Sequence, residues 1–106
     1  MISFVRGDNH STSFKLSGYK GEIQKAWLTV KDEREVILIK KNTDNGIEKK
    51  DEGFYVVNFE PKDTDNLDLN FKMFYDFQIM IVGEKYTPQI GSFKLTKDIT
   101  TPDCEV

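Results

Sequence analysis

The chain has 106 residues, 38% hydrophobic and 31% charged, which fits one water-soluble domain and leaves no room for two ordinary ones. No apolar run approaches the roughly 20 residues that cross a bilayer as a helix, and Met1-Ile2-Ser3-Phe4-Val5-Arg6 lacks the basic and long apolar regions of a secretory signal. A single cysteine, Cys104, excludes an internal disulfide and a zinc site of paired cysteines, and a net charge of −3 argues against a general attraction to nucleic-acid phosphates.

Val, Ile, Thr, Phe, Tyr and Trp together number 37, against 10 for Leu, Met and Ala. β-branched and aromatic side chains suit a pleated, half-buried surface, and the strongest helix formers are scarce, so the composition predicts an all-β domain. The first strand runs from Ile2 to Arg6 and ends in the polar turn Gly7-Asp8-Asn9-His10. Ser13 to Leu16 forms the second, closed by Gly18 and Gly21. Ile23 to Lys31 follows, with Ala26, Leu28 and Val30 on one face and Ile23, Trp27 and Thr29 on the other. After the short turn Asp32-Glu33-Arg34, Glu35 to Lys40 carries the run Val36-Ile37-Leu38-Ile39, the pattern of a strand buried on both faces or of a sheet edge under a loop.

Residues 42–52 read as an exposed, mobile loop, since Ile47 alone interrupts their polarity. Phe54 to Glu60 is a strand stopped by Pro61, and Lys62 to Asn70 is a crossing segment with Leu67 and Leu69. The longest alternation is Met73 to Val82, where Met73, Tyr75, Phe77, Ile79 and Ile81 share a face. Gly83-Glu84 turns into the last strand, Lys85 to Asp98, in which Pro88 cannot donate to a ladder and Gly91 marks a bulge; this strand is expected at a sheet edge for part of its length. About seven strands with short turns and one long crossover predict an immunoglobulin-like antiparallel β-sandwich over residues 1–100, with a flexible tail at 101–106; a small β-barrel is the alternative.

The motifs that invite chemistry each have a plainer structural reading. Arg6-Gly7-Asp8 has the letters of an integrin ligand, but it ends a strand where Gly makes a turn and Asp caps it. Asp63, Asp65 and Asp68 with Asn66 and Asn70 are rich in oxygen, yet lack the spacing of a calcium loop, and an Asx turn at the crossing suits Asp63 better. His10, Asp8 and Ser11 crowd one turn with no elbow to present a nucleophile. Cys104 lies between Asp103 and Glu105, which disfavour a thiolate, and Asn9-His10-Ser11 matches the glycosylation pattern without a secretory signal to give it meaning. No catalytic, metal or cofactor site is expected.

Several short elements, in order and spacing, resemble the small β domain at the N-terminus of baseplate upper proteins and related tail or fibre proteins of phages of Gram-positive bacteria. They are Phe4-Val5-Arg6-Gly7-Asp8, Ala26 to Lys31, Lys40-Lys41, Asp63-Thr64 with Leu67, Tyr75-Asp76-Phe77-Gln78, and Thr87, Gly91, Phe93, Ile99 and Thr100. Met73 stands where that family tends to have an aromatic, so a tyrosine-type corner is not expected from that position. The resemblance implies a non-enzymatic virion protein that docks onto other virion structural proteins or its own copies, without nucleic acid or membrane, located in the virion and, before assembly, in the bacterial host cytoplasm. The contact surface expected from the exposed terminal strands comprises Ile2, Phe4, Arg6, Asp8, Tyr86, Pro88 and Phe93. Two rival readings remain. One is a carbohydrate-binding or adhesin-like sandwich stacking Trp27, Tyr19 or Tyr86 on a sugar; the other is a small enzyme with Asp63, Asp65 or Asp76 converging in a cleft.

Overall fold

A computed structural model describes residues 1–19, 21–51 and 53–97. The expected tail, its Cys104, and the resembling residues Ile99 and Thr100 lie outside the described residues. The strands are β1 (Ile2–Val5), β2 (His10–Lys15), β3 (Ile23–Asp32), β4 (Ile37–Asn42), β5 (Ile47–Asp51), β6 (Phe54–Phe59), β7 (Met73–Ile81) and β8 (Glu84–Thr96), with one helix, α1 (Pro61–Thr64), between β6 and β7. They form a five-stranded sheet, β1-β8-β7-β3-β4, and a three-stranded sheet, β2-β6-β5. This is the immunoglobulin arrangement: β3, β7 and β8 take the places of strands C, F and G, β4 adds the extra strand beside C, and β2, β6 and β5 take those of B, E and D.

Period-two alternation builds the core. Met73, Tyr75, Phe77, Ile79 and Ile81 of β7 and Ala26, Leu28 and Val30 of β3 face Phe14 of β2, Ile47 of β5 and Tyr55, Val57 and Phe59 of β6, all buried. Phe77 lies at the centre, stacked on Phe14 at 4.3 Å and tilted against Tyr55 at 6.0 Å. Burying one such aromatic contributes about 1.5–3 kcal/mol, which makes this inter-sheet stack a principal tie between the layers. At the other end, Phe59 of the small sheet meets Phe93 at 5.7 Å and Phe4 at 5.3 Å.

Several local expectations are corrected. Residues 42–52 are not one loop: after a turn closed by reciprocal Asn42 and Asn45 backbone hydrogen bonds, β5 pairs with β6 along Ile47–Asp51. Its polarity is that of an edge strand anchored by buried Ile47, with charged side chains along the rest. Ile23 joins the core side with Ala26 instead of the Trp27 side, because the β3–β7 register shifts between Ile23 and Lys25. The run at 36–39 is not buried on both faces: Ile39 is core, Val36 and Ile37 are exposed, and β4 is a sheet edge.

Gly91 is not at a bulge either. It sits opposite Tyr75, where a Cβ would stand 2.8 Å from the ring, and the register break between β7 and β8 falls between Phe77 and Ile79. Finally, the sandwich has one parallel pair, β1 on β8, with Ile2 opposite Phe93 and Val5 opposite Thr96. β1 covers only the last part of β8, so residues 84–92 keep an open edge, as the position of Pro88 predicts.

Candidate functional site

The β6–β7 crossing gathers residues that are far apart in the sequence. Pro61 starts α1, and the Asp63 carboxylate accepts the Glu60 amide at 2.8 Å, closing the first turn. The same Asp63 oxygen takes the Lys41 ammonium at 2.7 Å, with side-chain exposures of 14% and 7%. Thr64 is fully buried, and its hydroxyl accepts the Gly7 amide at 2.8 Å. Gly7 has φ +84°, and a Cβ there would sit 2.9 Å from Asp65 Oδ1, so the position calls for glycine on two grounds. The Arg6 amide donates to the Thr96 carbonyl, and the Arg6 guanidinium reaches toward the Leu67 carbonyl at 3.5 Å.

Arg6-Gly7-Asp8 is therefore a clasp between β1 and the crossing: Gly7 is bound to Thr64 and Arg6 is turned back onto the domain, while Asp8 is exposed. Asp63 is spent on the helix cap and Lys41, and Asp68 accepts the Asn70 amide in an Asx turn. Among the described residues, no three His, Cys, Asp or Glu side chains are grouped to hold a metal ion. His10 stacks flat on Phe4 at 4.4 Å and pairs with Thr12 at 3.0 Å, while the Ser11 hydroxyl donates to Asn58, so Asp8, His10 and Ser11 form no relay.

The expected contact residues separate into two groups. Ile2 and Phe93 are core, and Phe4 is half-buried among His10, Phe59 and Phe93; their side chains are occupied by packing. Tyr86 and Pro88 lie on the open part of β8, where Tyr86 is exposed, meets Tyr19 edge-on at 5.5 Å and donates to Glu84 at 2.6 Å. That Glu84 contact pushes the Tyr86 phenol above its ordinary value.

The outward face of the five-stranded sheet holds several of the remaining exposed apolar side chains: Ile90 at 74%, Ile37 at 50% and Phe74 at 46%. Asp76 lies among them, opposite Ile90 on β8 and Thr29 on β3. Burial pushes its carboxyl up, and Lys31 offsets only part of that. Further along the same face, Trp27 is half-buried, with Asn42 of β4 and Gln78 of β7 as its direct cross-strand neighbours. Lys25 and Lys85 hold their ammonium groups 5.7 and 5.8 Å from the indole centre.

Sequence reasoning named Trp27 and Tyr86 but missed Asn42, Gln78, Lys85 and Ile90. Alternation could have put Trp27 and Gln78 on outward faces, but only the register brings their strands side by side. No helix among the described residues is long and apolar enough to cross a membrane. No family model matches the chain, and no curated protein matches it.

Proposed function

We propose that this domain is a non-enzymatic structural component of a phage or prophage virion, placed in a tail, baseplate or fibre and acting by docking onto neighbouring virion proteins. One observation carries the reading. The scattered elements that resemble the baseplate-protein domain, Arg6-Gly7, Lys41, Asp63-Thr64 and Leu67, meet at a single corner through the Gly7–Thr64, Lys41–Asp63 and Arg6–Leu67 contacts. Short motifs that converge into one mechanical unit support a shared architecture better than separate short likenesses do.

The docking surface in this reading is the open part of β8 with Tyr86 and Pro88, continued by Ile90 and Phe74 on the outward sheet face. Pro88 and the register break limit ladder extension along that edge, so the contact is mainly one of side chains. The test is mass spectrometry of purified particles from a bacterial strain carrying the gene. The chain is expected at a fixed copy number per particle, and its absence from particles while it is expressed in the cell overturns the proposal.

A second reading, a carbohydrate-binding module, is favoured by the placement of two amides, Asn42 and Gln78, on either side of Trp27 on an outer face. An aromatic floor flanked by amides is a general solution to binding a sugar ring: the indole meets its C–H face and the amides its hydroxyls.

A further inference from the structure

We infer that the Trp27 face is a site for an acidic saccharide, a sugar segment bearing carboxylate or another anionic substituent. The inference deepens the carbohydrate-binding reading and rests on it. Trp27, Thr29, Asn42, Gln78, Lys40 and Lys85 line an open depression of about 250 Å³ on the outward sheet face. This is a little below the roughly 300 Å³ at which drug-sized pockets begin and suits a short, shallowly bound segment.

The chain is net acidic, yet no Asp or Glu lines this depression. Among the described residues neither Lys40 nor Lys85 takes part in an ion pair, whereas the neighbouring Lys25 has Asp44 at 3.8 Å. Gln78 makes no side-chain hydrogen bond among the described residues. The Asn42 carbonyl oxygen accepts the Asp44 amide, which leaves the Asn42 NH₂ as a donor. The site thus presents amide donors and the Thr29 hydroxyl for sugar hydroxyls, an indole for the ring, and two ammonium groups that have no carboxylate partner among the described residues. A neutral sugar would use the first two features and leave the cations unmatched; an anionic one uses all three. A purely acidic peptide would match the lysines but has no need of an indole between two amides.

The test is a titration of the intact chain with a galacturonic acid tetramer and with the same tetramer methyl-esterified, read by the fluorescence of Trp27, the chain's single tryptophan. The acid is expected to bind about tenfold more tightly than the ester, and to lose that advantage in Lys40→Gln/Lys85→Gln or in about 0.5 M salt. Calorimetry on Trp27→Ala should show binding lost, while Trp27→Phe keeps it within a few fold, with circular dichroism confirming the fold of each variant. Equal affinity for acid and ester would overturn the inference and leave the carbohydrate reading standing. Failure of both tetramers to bind would remove both. An equal response to a hexaglutamate peptide would overturn the saccharide assignment in favour of an acidic peptide.

Discussion

Val82 occupies the β7–β8 hairpin with φ +44°, followed by Gly83 at φ +79°. Two successive positive values are the signature of a primed hairpin turn, for which Asn-Gly is the favoured pair. A β-branched side chain in the left-handed region is strained by about 1–2 kcal/mol, and Val82, 75% exposed, gains no burial to offset it. Val82→Asn should therefore stabilise the domain by about 1 kcal/mol, read as a rise of about 4–8 °C in thermal denaturation. Asp32 is the opposite kind of residue, a buried carboxylate satisfied on every side. It accepts the Arg34 guanidinium at 2.7 and 3.1 Å and the Arg34 and Val36 amides at 2.8 and 3.2 Å, which shapes the β3–β4 turn around Glu35 at φ +67°. Burial pushes its carboxyl up, but these hydrogen bonds outweigh that and hold it below the ordinary value of 3.8. Its contribution is fully present above the unfolded value and is lost as pH falls through the lowered folded one. Asp32→Asn is accordingly expected to lower the melting temperature at neutral pH, with the gap to the native chain closing toward about pH 2 in melts followed by circular dichroism.

At the scale of elements, the β6–β7 crossing is held by a set of polar contacts together with the packing of Leu67 and Leu69 against the core. α1 is one turn long and would not persist alone; Pro61, the Asp63 cap, the Lys41 ammonium and the Gly7–Thr64 hydrogen bond hold it in place. Removing one member of so buried a pair leaves the other charge uncompensated, a loss of about 3–5 kcal/mol. Lys41→Met and Asp63→Asn should each destabilise by that order. The double variant should fall well short of the sum, because the substituted amide can still accept the Glu60 N–H and no lone charge remains; urea denaturation of the four proteins measures the coupling. Lys40-Lys41, Asp63-Thr64 and Gly7 can be picked out in the sequence as short elements, but not which lysine turns inward or that Asp63 receives it. Neither residue has a local signal of pairing, since β4 and α1 are distant in the chain and meet only in the fold.

At the scale of the whole molecule, the two sheets share one core, and their edges are protected in different ways. β5 is an edge covered with charge, β8 carries Pro88 in its open part, and β1 caps the remainder of β8 by parallel pairing. Removing residues 1–5 would uncover the β8 ladder at Phe93 to Thr96 and delete Ile2 from the core. The truncated chain is expected to melt at lower temperature and to associate, seen as increased light scattering at concentrations where the full chain is unchanged; unchanged scattering would mean that β1 is dispensable as an edge guard. The β4 edge has no strand beside it among the described residues, and Val36 and Ile37 are exposed there.

Local chemistry settled the all-β class, the alternation of β7, the breaks at Gly7, Pro61 and Gly83, and the open-edge position of Pro88, because strand periodicity and turn geometry act over a few neighbouring residues. The packed sheets alone decided that β1 runs parallel to β8, that a register shift brings Ile23 inward, that Gly91 clears space for Tyr75, and that Trp27 lies between Asn42 and Gln78. Each of these depends on which strands become neighbours and in what register. That choice is made by the burial of both sheets at once, so no single stretch of the chain contains it.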